Sequence, residues 1–356
     1  MYRAIRRSLE VSRYIARFAC AVAMVACTAA VISPRALAAA DTNYHLLKKV
    51  VLGGEGGWDY LTCDSGARRV YISRGTHVMI IDADSYAVVG DIPGTEGVHG
   101  IALAPEFGRG FVSDGRANTV TVFDLKTLKV LGTAPTGNGP DAIVYDPVSR
   151  RVFTFNGHGG DATAIDAATG KPVGTVALGG KPEFAVADGR GNIYNNLEDK
   201  SELLQIDSRK FTVTNRWPLA PCEGPSGLAI DRKHQRLFAG CHNEMMAVID
   251  ANSGKVLAAP AIGQGVDANA FDPRTHLAFS SNGDGTLTIV REDSPEKFTA
   301  VANVATQRGA RTMALDLKTH RIFLVTADFG KPPVPEHFHP RPSVLPGTFT
   351  LLVFGP

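Results

Sequence analysis

Asp59, His99, Asp141, Glu183, Ser226, Asp267 and Arg311 follow one another at intervals of 40, 42, 42, 43, 41 and 44 residues in a chain of 356. If the chain returns to one place at each interval, four carboxylates, an imidazole, a guanidinium and a hydroxyl meet there. Carboxylates gathered around one point repel each other, which raises their proton affinity unless His99, Arg311 or a cation sits among them. Such a ring is the chemistry of a ligand site. Trp58, beside Asp59, supplies either a surface on which a ligand stacks or a plug for the axis. In a catalytic reading, His99 or Glu183 is the general base and Arg311 steadies a developing oxyanion. The competing reading is structural: short Asp and Ser side chains at strand-entry turns commonly accept hydrogen bonds from neighbouring backbone N–H groups.

The remaining histidines divide by position in the repeat. His99, His158, His242, His337 and His339 fall in turns of the same class as the ring, whereas His234, His276 and His320 fall in the opposite class and are expected to be solvated. His99, His158 and His242 are the candidate ligands for a divalent metal such as zinc or copper. Cys241-His242-Asn243-Glu244 and Glu336-His337-Phe338-His339 offer imidazole and carboxylate together, but their spacings match no firm metal motif. No other cofactor is indicated. The chain carries no phosphate-binding Gly loop, no nucleophile elbow and no histidine pair at helical spacing.

What must position the ring is written in the spacing itself. Each ring residue stands five positions ahead of a turn residue, Asp64, Ala104, Asp146, Asp188, Asp231, Asp272 or Asp316, of which only Ala104 is not aspartate. Around each turn lie four short apolar runs, such as 101–104, 110–113, 119–123 and 130–134, joined by Gly, Asp and Pro. Val120-Thr121-Val122 alternates as a strand does. A period of 40 to 45 residues with four strands per unit is the signature of a β-propeller blade, and no segment has the apolar spacing of a long amphipathic helix. The seventh copy ends after its third strand. Residues 45–53, with Lys48-Lys49-Val50-Val51-Leu52-Gly53, match the fourth-strand pattern Lys129-Val130-Leu131-Gly132. The expectation is an all-β, seven-bladed propeller of four antiparallel strands per blade over residues 41–356, closed by its N-terminal strand. A proline-rich insertion at 329–347 enlarges the last blade on the ring's side of the wheel, as a lid, a docking arm or an exposed loop.

Asn118-Thr119-Val120-Thr121-Val122-Phe123-Asp124, Val152-Phe153-Thr154-Phe155-Asn156 and Ala278-Phe279-Ser280-Ser281-Asn282 resemble the YVTN-repeat propellers, the YncE-like family. The resemblance covers nearly all of the chain beyond residue 40. It implies a secreted or periplasmic seven-bladed propeller. Some members bind single-stranded DNA, and related propellers occur in surface-layer proteins and redox enzymes. It transfers no catalytic residue, because the motif is one of strand and turn.

Residues 1–40 read as a signal peptide: five arginines by position 17, an uncharged run over 18–32 and Ala36-Leu37-Ala38 as the cleavage signal. The Sec route is favoured, with Arg6-Arg7-Ser8-Leu9 hinting at the twin-arginine route. The apolar run is too short for a membrane span of about 20 residues, so the mature protein is expected to be periplasmic or secreted, with no transmembrane segment, and monomeric. Six arginines and one glutamate leave with residues 1–38, which turns a whole-chain charge of +2 into −3. A mildly acidic body lacks the general electrostatic footprint of a nucleic-acid-binding protein. In an oxidising compartment Cys222 and Cys241, brought to one end of adjacent strands, are expected to form a disulfide, and Cys63 to remain a buried free thiol. The leading functional reading is a recognition module whose axial face binds a small ligand, a nucleic-acid strand or a protein. The rivals are a lactonase-type hydrolase in the axial funnel and a metal-binding or redox-associated propeller.

Overall fold

The computed structural model describes residues 42–54, 56–330 and 343–356. The expected signal peptide and the middle of the insertion, including His337 and His339, lie outside the described residues. The strands are β1 (His45–Val51), then β2 to β5 (Leu61–Asp64, Arg69–Ser73, His77–Asp82, Val88–Pro93) and β6 to β9 (Val98–Ala104, Arg109–Asp114, Thr119–Asp124, Val130–Pro135). They continue as β10 to β13 (Pro140–Asp146, Arg151–Asn156, Asp161–Asp166, Lys171–Ala177) and β14 to β17 (Pro182–Ala187, Asn192–Leu197, Glu202–Asp207, Thr212–Pro218). The last three groups are β18 to β21 (Pro225–Asp231, Arg236–Cys241, Met245–Asp250, Val256–Ala258), β22 to β25 (Val266–Asp272, Leu277–Asn282, Thr286–Ser294, Lys297–Ala305) and β26 to β28 (Met313–Asp316, Arg321–Thr326, Thr350–Gly355). Each group of four is one antiparallel sheet, and β26, β27 and β28 are completed by β1. The pairing of β1 with β28 runs from His45 opposite Gly355 to Val51 opposite Thr350. First strands touch their neighbours around the whole circuit, including β26 against β2. The protein is a closed seven-bladed propeller, and closure leaves no unpaired inner edge.

The repeat specifies this wheel through three recurring devices. The first is an aromatic residue at the third position of every second strand: Tyr71, Phe111, Phe153, Tyr194, Phe238, Phe279 and Phe323, all at most 1 % exposed. Burying such a side chain between sheets contributes about 1.5–3 kcal/mol. The second is the aspartate turn. Asp146 accepts from the N–H groups of Val148 and Ser149, and Asp231, Asp272 and Asp316 accept from corresponding groups. At the exception, Ala104, a single 3-10 turn over Pro105–Phe107 replaces the side-chain cap and Gly108 closes it at φ +63°, a left-handed geometry that glycine adopts at little cost. The third is an irregularity in the fourth-strand pairing, such as that between Ala164 and Ile165, which adds the twist each blade needs.

Cys222 and Cys241 are joined, with Cα atoms 5.5 Å apart. Cys63 is free and only partly buried, and burial together with the nearby Asp316 carboxylate pushes its thiol up to about 12. The closing strand stops at Val51 rather than residue 53, because the N–H groups of Leu52 and Gly53 turn to the Phe349 carbonyl. His320 corrects the expectation of a solvated turn residue. It is 9 % exposed, its Nδ1 lies 2.6 Å from Asp272 Oδ2, and Arg274 Nε donates to its Nε2. Blades six and seven meet there, and a carboxylate inside a junction must be matched by polar partners rather than by solvent. Among the described residues no helix is long and apolar enough to cross a membrane.

Candidate functional site

The ring residues occupy the start of each first strand, where the pairing with the second strand breaks. The breaks fall between Val98 and Ile101, Pro140 and Ile143, Pro182 and Ala185, Pro225 and Leu228, and Val266 and Ala268. His99, Asp141, Glu183, Ser226 and Asp267 lie inside these intervals. Here the backbone leaves the ladder and must find other partners. Polar residues at the fifth position of the second strand supply them. Ser73 Oγ accepts from Asp59 N at 3.0 Å and Ser113 Oγ from Gly100 N at 2.8 Å. Ser113 Oγ also donates to the Asp141 carbonyl in the next blade, Asn196 Nδ2 to the Ser226 carbonyl at 2.8 Å, and Ser281 Oγ to the Arg311 carbonyl. All four are fully buried. They pin the ring from one blade to the next.

The expected ring does assemble. His99 Nδ1 lies 2.6 Å from Asp59 Oδ2 and 3.5 Å from Asp141 Oδ1. Across the circle, Arg311 Nε is 3.3 Å from Asp267 Oδ2, and Ser226 Oγ donates to Asp267 Oδ1 at 3.4 Å. Glu183 Oε1 is 2.9 Å from the Nζ of Lys181, which also reaches Glu198. A cavity of about 490 Å³ opens above, lined among others by Trp58, Asp59, His99, Asp141, Arg116, His158, Lys181 and Arg311. A second, of about 470 Å³, shares Trp58 and Arg311 and adds Arg308, Phe329 and Val344. The base of the insertion forms that wall, where Phe329 bridges to Val344.

Proton affinities of His99, Asp141, Glu183 and Asp267 are displaced upward. Burial disfavours a charged His99, but the hydrogen bond to Asp59 and the Asp141 charge outweigh it and raise the imidazole to about 9. Burial lifts Asp141 to about 6 against the pull of His99, and lifts Asp267 to about 6 against Arg311. Glu183 rises to about 8 through burial and the Asp141 charge. Glu198, by contrast, is held down despite its own burial by the Lys181 hydrogen bond. Lys181 lies between the two carboxyls, and burial with the Asp141 charge places proton affinity on Glu183 rather than on Glu198. Gly115 leaves room for the imidazole, since a Cβ there would lie 2.8 Å from His99 Nε2.

Trp58 is not the axial plug. It packs on the seventh blade, its ring 5.4 Å from Phe349 and 6.2 Å from Phe329. The axis is blocked one residue deeper by Tyr60 of the first blade stacked at 4.4 Å on Phe184 of the fourth. The positions after the ring read Tyr60, Gly100, Ala142, Phe184, Gly227, Ala268 and Thr312, two large rings amid small residues. That was the signal available for finding the plug. The Tyr60 hydroxyl is buried without a hydrogen-bond partner among the described residues, and Asp267 Oδ2 has the Arg311 ion pair. Burial and the surrounding Asp141, Glu183, Asp59 and Asp267 charges raise the phenol well above its ordinary value.

Of the proposed metal ligands, His99 converges with Asp59 and Asp141, whose ligating atoms all lie within 4.8 Å of one another. His158 lines the same mouth and His242 stands 3.5 Å from Glu198. Among the described residues neither joins His99 in a ligating cluster.

No protein-family model matches the chain, and no curated protein matches it. Solved structures do. The chain superposes on the Kuenenia stuttgartiensis hydrazine synthase with a TM-score of 0.65 at 14 % identity, over 76 % of this chain and 92 % of that one. For the structure of U3-55K the TM-score is 0.70 at 9 % identity, over 87 % and 98 %. For the RRP9 WD40 repeats it is 0.71 at 9 %, over 87 % and 97 %. At such identities the likeness is one of fold.

Proposed function

We propose that the protein is a recognition module whose axial mouth holds a small polar ligand, or the polar tip of a larger partner, through hydroxyl or amine donors. The observation that carries this reading is the polar lining of an open cavity: Asp59, His99, Asp141, Lys181 and Arg311 surround a mouth of about 490 Å³, and Arg311 is ion-paired to the partly buried Asp267. The cationic rim of Arg116, Lys181 and Arg311 favours a ligand that also carries an acceptor or anionic group. WD40 repeats among the structural neighbours fit a binding role.

Proton affinity weighs against the hydrolase reading at neutral pH. The upward displacement of His99 and Glu183 favours their protonated forms, which donate hydrogen bonds rather than act as general bases. Export to an oxidising compartment is proposed together with this function, supported by the Cys222–Cys241 disulfide. Membership of the YVTN-repeat family, and with it single-stranded DNA as a ligand, rests on the strand motifs alone.

The test is a thermal-shift screen at pH 7 with amino sugars, polyols, diamines, amino acids and a thymidine oligonucleotide. A ligand that raises the melting temperature of the native protein but not of Asp267→Asn supports the reading. Turnover of a lactone or ester panel that disappears in His99→Ala and Arg311→Ala would replace it with the hydrolase.

A further inference from the structure

On the face opposite the mouth, the sixth blade departs from the repeat. In five blades the third strand ends in an aspartate that caps the following turn: Asp82, Asp124, Asp166, Asp207 and Asp250. In the sixth, Arg291 takes that place, opposite Leu277, and the hairpin runs on, so that β24 and β25 each reach nine residues. Arg236 of the fifth blade donates to the Pro295 carbonyl at 2.7 Å, which holds this extension against its neighbour. Its first added residue is Glu292. The side chain is 1 % exposed, and its backbone N–H donates to the His276 carbonyl at 2.9 Å.

Two imidazoles meet that carboxylate. His234, in the β18–β19 turn, has Nδ1 3.1 Å from Glu292 Oε1, and His276, in the β22–β23 turn, has Nδ1 3.6 Å from Oε2. Oε2 itself is buried and accepts no hydrogen bond. The two rings are stacked, 5.9 Å between centroids. Asp231, almost fully buried, lies 2.7 Å from His234 Nδ1. Among the described residues, neither Asp231 nor Glu292 pairs with lysine or arginine. Other junctions between blades are built differently: Asp316 meets Arg68 at 2.7 Å, and Asp272 meets the His320–Arg274 pair. Two buried carboxylates without a fixed cation are expensive, and imidazole supplies positive charge only when protonated. A bound cation supplies it outright.

We propose that His234, His276 and Glu292 form a binding site for a divalent transition-metal ion of the zinc type, with His234 ligating through Nε2 while its Nδ1 donates to Asp231. One ligating atom from each of the three lies within 4.8 Å of the others. Tetrahedral ligands at about 2.0–2.2 Å from zinc stand about 3.3–3.6 Å apart, so small rotations of the two imidazoles bring them into place. Two nitrogens and one carboxylate oxygen favour zinc, copper or nickel over calcium or magnesium. His234 and His276 are 22 % and 40 % exposed, which gives the ion a path in and leaves its fourth position to solvent. This inference is independent of the axial mouth.

The experiment is calorimetric titration of the untagged, chelator-treated mature protein with zinc, paired with cobalt absorption spectroscopy. The expected result is one saturable equivalent, a cobalt spectrum of four-coordinate type and a raised melting temperature. His276→Asn, which suits the left-handed backbone at φ +56°, and Glu292→Gln should each lose that equivalent. Asp231→Asn should weaken it about 10- to 100-fold, and His99→Ala should retain it. Circular dichroism verifies that His276→Asn is folded. The proposal is overturned if the native protein binds neither zinc nor cobalt, if the equivalent survives in folded His276→Asn, or if it disappears in His99→Ala, which would move it to the mouth.

Discussion

Glu183 shows how a single side chain reports on the mouth. Its carboxyl is raised from 4.5 to about 8 by burial and by Asp141. Between those values the folded protein holds a proton that the unfolded chain has released. Proton binding that is greater in the native state makes stability fall as pH rises, so this contribution is complete below about pH 4.5 and lost as pH rises through 8. His99, raised to about 9, acts in the same direction above its ordinary value of 6.5. Glu183→Gln mimics the protonated acid, so the variant should gain melting temperature relative to the native protein as the buffer goes from pH 5 to pH 9. Equal differences across the range would mean that Glu183 is ionised in the fold. The charged members of the ring were legible because they occupy one position in a period. Tyr60 and the buried pins Ser113, Asn196 and Ser281 were not, because their partners lie in other blades and no local window contains both halves of the contact.

At the scale of elements, the seven second strands are the most uniform part of the molecule. Truncating one of their aromatic residues leaves a cavity between sheets that the pinned strands cannot collapse around. Phe153→Ala should therefore cost about 3–5 kcal/mol in denaturant unfolding. A loss below about 1 kcal/mol would show that neighbouring blades repack freely. Period, strand order and the aspartate turns were readable because each is a local pattern repeated at 40 to 44 residues. The turn at His320 was misjudged as solvated for the opposite reason. Polarity in a turn predicts exposure only until another blade packs against it, as Asp272 and Arg274 do around His320.

The whole molecule depends on one non-local event, the arrival of β1 beside β28. All six residues of β28 are buried, so removing residues 42–52 would expose a long apolar edge and open the ring. Such a variant should run as oligomers or aggregate in size-exclusion chromatography; a monomer with native circular dichroism would show that the other six blades hold the wheel closed without it. Closure also fixes the mouth, since Trp58 and Arg311 belong to the first and last blades and line the same cavities. The chain has two tryptophans, Trp58 and Trp217; the latter stacks on Tyr194 in the outer part of the fourth blade. In a Trp217→Phe background, Trp58 fluorescence watches the mouth alone. A ligand from the thermal-shift panel should change that emission saturably, with one site per chain, and the change should vanish when Asp267→Asn is added. No saturable change with any member of the panel, or one undiminished by Asp267→Asn, would contradict an axial binding site.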